Sequence, residues 1–183
     1  MSAARAWPWL VGGGAALLLL AAASSPAQAA PAPAPALPPP GPTPHPPLPG
    51  VMHLRSRFGW RVDPITHERA FHRGIDLPAP TGTAVSAPYA GQVVRIDADG
   101  VGKGETNGNA VHLRVGDLIW AFLHLSAVLV RVGEPVARGQ LIGRVGSTGR
   151  STGPHLHLQV YQDDGRLMDP ETLFPPGTFR GRA

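Results

Sequence analysis

From Val51 onward the chain runs in short apolar stretches broken every few residues by Gly, Pro, Asn or Asp, the texture of strands joined by turns. Candidate strands cover 83–87, 91–97, 110–115, 118–124, 140–145 and 157–162. The run DADGVGKGETNGN, 97–109, reads as a hairpin loop, and Val115-Gly116-Asp117 as a tight turn between two strands. No stretch sustains helical periodicity, and no long-period repeat is present. The expected fold class is all-β, mainly antiparallel and hairpin-rich, with little helix.

Strand alternation also sorts the histidines. In GRSTGPHLHLQV, 149–160, His155 and His157 are two apart and therefore share a strand face. Along IWAFLHL the same rule places His124 on the face of Trp120 and Phe122, which marks it as a core or interface residue. His112, in AVHLRV, belongs to no motif and receives no role.

The first fifty residues have a different texture. Arg5 is their only charged residue, followed by the apolar run LVGGGAALLLLAAA (10–23) and by Ala27-Gln28-Ala29. That is the basic start, short apolar core and small-residue cleavage site of a secretory signal peptide, assigned to 1–29. The run is short of the roughly 20 apolar residues a span needs and contains three glycines, so no membrane span is expected in the mature protein. Residues 30–50, APAPAPALPPPGPTPHPPLPG, are expected to be a disordered, extended polyproline spacer without a packed core, with His45 solvated inside it. The folded domain is then 51–176, with 177–183 as a tail. Having no cysteine, the chain offers neither a lipidation site nor a disulfide.

Charge narrows the partners. The formal net charge is +4; without Arg5 it is 15 basic against 12 acidic residues, or +3. Lys103 is the only lysine, so the sequence pI of about 10.6 comes from arginine. Such an excess outside the cytoplasm suits an anionic wall or membrane surface, and no dense basic run with interleaved aromatics points to nucleic acid. A phosphate loop at Lys103 is excluded because Gly104 stands where Ser or Thr is required. VGEPVARGQLIGRVG, 132–146, resembles the hairpin of biotinyl and lipoyl carriers but holds no lysine to modify.

The chemistry gathers in a second cluster. In FHRGIDLPAP, 71–80, His72 and Asp76 are four apart, and Gly74, Pro78 and Pro80 argue for a loop leading into a strand rather than a helix. This imidazole and carboxylate, with one imidazole of the 155/157 pair, make the two-histidine-one-carboxylate set of a catalytic zinc, which keeps its fourth position for water. The residue types leave open which of the pair binds.

Several separated motifs carry a resemblance. SRFGWRVDP (56–64), HRGIDLPAPTGTAVSAPYAGQVV (72–94), GNAVHL (108–113), FLHLS (122–126), GEPVARGQLIGRVGSTGRSTGPHLHLQV (133–160) and MDPETLF (168–174) follow one another over nearly all of the chain after the spacer. In this the domain resembles the lysostaphin/LytM-type zinc metallopeptidases, endopeptidases that cut peptide cross-links in bacterial peptidoglycan. The resemblance implies an open groove between loops and one Zn2+ per chain on His72, Asp76 and His157. It implies that His124 and His155 are catalytic and flank the water the metal activates. It also implies an exported monomer, in the periplasm, cell envelope or extracellular space, acting on peptidoglycan peptides. The chain departs from the family's usual Tyr-Ala-His at Phe122-Leu123-His124, and from His-Phe-Glu at His157-Leu158-Gln159. Two other readings stand beside this one. The first is a non-catalytic peptidoglycan-binding or amidase-activating domain; the second is a peptidase directed at glycine-rich proteins or a foreign wall. Only GTFRGRA follows Pro176, which favours the cell's own envelope over a foreign wall.

Overall fold

The computed structural model describes residues 43–98 and 104–181. The expected signal peptide, residues 30–42 of the expected spacer, and Lys103 lie outside them. The described chain forms β1 (Met52–Leu54), β2 (Gly59–Val62), β3 (Arg69–His72), β4 (Ile75–Pro78), β5 (Ala84–Ser86) and β6 (Gly91–Asp97). After the single-turn helix α1 (Gly104–Asn107) come β7 (Asn109–Val115), β8 (Leu118–Val128), β9 (Pro135–Val136), β10 (Leu141–Val145) and β11 (His155–Gln162). β12 (Leu167–Met168), a 3₁₀ turn (Pro170–Leu173) and β13 (Phe179–Gly181) complete it. The all-β expectation holds. No helix among the described residues is long and apolar enough to cross a membrane.

One large antiparallel sheet runs β12-β11-β8-β7-β6-β9, with β4 on β11 and β10 paired with both β5 and β8. β2 and β3 form a separate hairpin ribbon, and β1 pairs in parallel with β13. The β7–β8 hairpin closes through Gly116-Asp117, between the paired residues Val115 and Leu118. Gly116 supplies the φ of +58° that so tight a turn requires.

Alternation divides the sheet into two faces. Val111 and Leu113 of β7, Trp120 and Phe122 of β8, and Leu156, Leu158 and Val160 of β11 are buried together in the core. Each such side chain contributes roughly 1.5–3 kcal/mol by leaving water. The intervening residues His112, Ala121, Leu123, His157, Gln159 and Tyr161 face the other way and line a groove.

His124 breaks this rule. Asn109 pairs with Leu125 but Val111 pairs with Phe122, so two steps along β7 match three along β8. The extra residue is a β-bulge, and His124 sits in it at φ +64°. Leu125 thereby returns to the core, fully buried, while His124 is turned into the groove beside Leu123. The position expected from strict alternation, on the face of Trp120 and Phe122, is corrected by this one-residue insertion. The left-handed backbone costs roughly 1–2 kcal/mol in a non-glycine residue.

Two segment boundaries also differ from expectation. Residues 43–50 pack on the domain rather than extending as a spacer: Leu48 is buried in the core, Pro47 O accepts from Ser86 N at 2.9 Å, and His45 N donates to Pro88 O at 2.8 Å. Proline removes a donor but keeps its carbonyl acceptor, so a proline-rich segment can still dock along a strand edge. His45 is half-buried, its ring against Gly139. At the other end, Phe179–Gly181 is not a tail but β13, and Phe179 stacks edge-on against Phe174 at 4.9 Å.

Candidate metal centre

The site begins where β3 hands over to β4. His72 is the last residue of β3 and Asp76 lies within β4, so the stretch expected as a loop leading into a strand is two strands joined by a tight turn. Gly74 occupies that turn because nothing larger fits. A Cβ there would lie 2.3 Å from Leu158 O and 2.8 Å from His157 Nε2. The backbone of the turn thus abuts β11, the strand carrying His155 and His157.

His72 Nε2, Asp76 Oδ1 and His157 Nδ1 converge. The separations are 3.2 Å between His72 and His157, 2.8 Å between His157 and Asp76, and 3.2 Å between His72 and Asp76. Ligands at the 2.0–2.1 Å bond lengths and tetrahedral angles of zinc stand about 3.3 Å apart, so the three atoms fit around one such ion with little adjustment. They are the group of histidine and carboxylate atoms, among the described residues, that could hold a metal.

Backbone carbonyls set the imidazole tautomers. His72 Nδ1 donates to Arg57 O at 2.7 Å, which leaves the lone pair on Nε2, the converging atom. His124 Nδ1 donates to Thr148 O at 2.8 Å, and His155 Nδ1 donates to Gly153 O at 2.7 Å. Both therefore keep an Nε2 lone pair. The His124 and His155 rings are 4.9 Å apart, His124 is 5.9 Å from the His157 ring, and His155 Nε2 is 3.5 Å from Asp76 Oδ1. All five sequence-predicted residues are thus brought to one end of a groove of about 680 Å³.

Charge states follow from the surroundings. Burial pushes the Asp76 carboxyl up, but hydrogen bonds with His157 and His72 outweigh it and hold the group far below the usual carboxylate range. Burial lowers the His157 imidazole, which keeps it neutral against the pull of Asp76. Burial, then the neighbouring His157 and His155, push His124 down to about 4. An ionised Asp76 beside a neutral His157 is the state in which these two ligands bind a divalent cation. Arg61 Nη2 adds a cation 3.7 Å from Asp76 Oδ2.

Sequence reasoning missed the groups that hold these side chains in place. The carbonyls of Arg57, Thr148 and Gly153 carry no side-chain signature and were not legible. Thr148 is itself anchored, its hydroxyl donating to Leu125 O at 2.9 Å and accepting from Asn109 N at 3.0 Å. Gly74, between His72 and Asp76, is a sequence signal of close backbone approach as well as a helix breaker. Of the departures from the family pattern, Phe122 faces the core, fully buried, whereas Gln159 lines the groove.

The profile of Peptidase family M23 matches residues 70–170. Peptidoglycan DD-endopeptidase ShyC of Vibrio cholerae is 39% identical over 117 residues, which take in 63% of this chain and 26% of that protein. The chain therefore spans about a quarter of this curated relative. Among solved structures, the catalytic domain of lysostaphin from Staphylococcus simulans superposes with a TM-score of 0.57 at 31% identity, covering 66% of this chain and 90% of that one. A zinc-containing peptidase from Vibrio cholerae gives 0.57 at 33% identity, with 64% and 36% covered. With the profile matching more than half of its length, this chain is a member of peptidase family M23.

Proposed function

We propose that this chain is an exported zinc metalloendopeptidase that hydrolyses the peptide cross-links of bacterial peptidoglycan. The observation that carries this reading is the convergence of His72 Nε2, Asp76 Oδ1 and His157 Nδ1, with two further imidazoles beside them in an open groove. The similarity to a DD-endopeptidase and to the lysostaphin catalytic domain supports the substrate class.

His72, Asp76 and His157 hold the zinc. When bound, the ion supplies Lewis-acid polarisation of the scissile carbonyl and acidifies water at neutral pH. His124, neutral because of burial and fixed by Thr148 O, offers Nε2 to take a proton from the attacking water. His155, fixed by Gly153 O, offers a second Nε2 on the same side, able to hand a proton to the leaving amine or to stabilise the developing oxyanion. Leu123, 6% exposed, and the buried Ala121 floor the groove and limit the water around the reacting bond.

The test is mass spectrometry of fragments released from sacculi of several cross-bridge types by the zinc-loaded protein, with His157→Ala as control. Release of cross-link-cleaved muropeptides by the wild type alone is expected. A protein that binds zinc and wall yet releases nothing from any sacculus would instead be a non-catalytic wall-binding or amidase-activating domain.

A further inference from the structure

Away from the five residues already described, the same groove holds a second polar cluster with no part in that chemistry. It is built on Asp97, buried at 4% exposure at the end of β6. Its Oδ2 accepts from Arg95 Nη2 at 3.0 Å and from Asn107 Nδ2 at 2.7 Å, and lies 3.1 Å from His112 Nε2. His112 Nε2 is also 2.9 Å from Arg95 Nη2, and His112 Nδ1 is 3.0 Å from the Tyr161 hydroxyl. With its proton on Nδ1, His112 donates to the Tyr161 oxygen and accepts from Arg95 Nη2 at Nε2, which leaves the Tyr161 hydrogen for a ligand.

Arg95, Asn107, His112 and Tyr161 all line the groove, while Asp97 lies behind them. One buried carboxylate thus organises four groove-lining side chains. A buried carboxylate is costly unless it is paired, and each group that pairs with Asp97 also lines the groove, so the arrangement is directed at what the groove binds. Burial would raise the Asp97 carboxyl, but the hydrogen bond from Asn107 and the nearby Arg95 charge hold it low and ionised. Burial raises the Tyr161 phenol, which stays a donor. Asp97 spreads its single charge over Arg95 and Asn107 from beneath, whereas the Arg95 side chain is 45% exposed, so the groove meets the cation.

We propose that Arg95 and Tyr161, positioned by the buried Asp97–His112 pair, form a carboxylate-binding subsite that anchors the substrate peptide in the groove. The nature of the ligand rests on the peptidase reading above. Tyr161 lies four residues beyond His157 on the same face of β11, about 13 Å at the rise of a strand. The subsite therefore grips the substrate at a point some three to four extended residues from the bond cleaved. A peptidoglycan stem peptide offers two carboxylates of this kind, that of its γ-linked D-glutamate and that of its C-terminus.

The probe is L-Ala-γ-D-Glu-L-Lys-D-Ala-D-Ala, with a ketomethylene isostere in place of its last peptide bond so that it is not turned over, which sets the D-glutamate three residues from that bond. Its binding to the zinc-loaded full chain is measured by calorimetry. Amidating one of the two carboxylates should weaken binding about tenfold, the scale of one charged hydrogen-bonded contact. The two single amidations identify which carboxylate it is. In Arg95→Gln the free acid and the amide should bind alike, and in Asp97→Asn the difference should shrink while zinc content stays unchanged. Tyr161→Phe, which removes one oxygen, should reduce the difference several-fold and serves if Arg95→Gln does not fold. No loss on either amidation, or a loss undiminished in Arg95→Gln and Tyr161→Phe, overturns the subsite. Digestion of sacculi in parallel separates the two readings. An amidation effect without cleavage leaves the subsite standing and removes the peptidase, and cleavage without an amidation effect does the reverse.

Discussion

Asp76 stands directly opposite His157 in the antiparallel register of β4 and β11, and their side chains meet with 2.8 Å between Oδ1 and Nδ1. The carboxylate and imidazole are cross-strand partners, so the sheet itself sets their distance. His72 reaches the same point from the end of β3, only a tight turn away.

Removal of one member of this set should release the metal. His157→Ala is expected to lower bound zinc from about one per chain to near zero by elemental analysis. Peptidase activity should fall together with it, by at least roughly a thousandfold. The Asp76 carboxylate left behind loses a buried hydrogen-bond partner, which should cost about 1–3 kcal/mol of stability.

His124 lies outside the converging atoms, and its loss should separate binding from turnover. For His124→Gln, zinc content should be unchanged while kcat falls about 10²–10⁴-fold, the usual worth of a general acid or base. A matching fall in zinc would assign His124 to the metal instead.

Gly74 offers a steric test. In Gly74→Ala the added methyl meets Leu158 O at 2.3 Å and His157 Nε2 at 2.8 Å, and both belong to the sheet that carries the site. Overpacking of this kind costs about 1–3 kcal/mol. Thermal unfolding should therefore start lower, and zinc affinity should drop even though no ligand has been replaced. Unchanged zinc affinity would show that the turn can move away from β11 without disturbing His157.

Asp63 makes a pH-dependent tie between two loops at the groove. Its Oδ1 accepts from Thr66 N at 3.0 Å, from Ile65 N at 2.9 Å and from Arg150 Nη2 at 2.8 Å. The two backbone hydrogen bonds are the main cause that brings its carboxyl down to about 2, with Arg150 adding to them. A carboxyl lowered in the folded state contributes stability above its ordinary value near 4, and that stability is lost as pH falls toward 2. Melting temperature should accordingly decline over this window more steeply in the wild type than in Asp63→Asn.

Much of this molecule was legible along the chain. Period-two alternation and turns marked by Gly, Pro, Asn or Asp identified β5, β6, β7, β8, β10 and β11, because a half-buried strand must alternate and a tight hairpin must turn on residues such as Gly116. Shorter elements, β1 to β4, β9, β12 and β13, escaped because two to four residues are too few to show a period. The ribbon and the strand that carry His72 and Asp76 were among them, and this stretch reads along the chain as a loop leading into a strand.

The amino-acid sequence by itself determined the chemistry available to this protein. It supplied the imidazoles and the carboxylate, set His155 and His157 two apart on one strand face, and put a glycine where two strands must nearly touch. Tertiary structure decided which of these meet. The register of β4 on β11 faces Asp76 with His157, and carbonyls from distant segments choose the lone pairs of His72 and His124. A single extra residue in β8 turns His124 out of the core. The physical reason is that register, bulges and carbonyl acceptors are relations between strands. They depend on where a neighbouring strand begins to pair, and no local pattern of side chains records that.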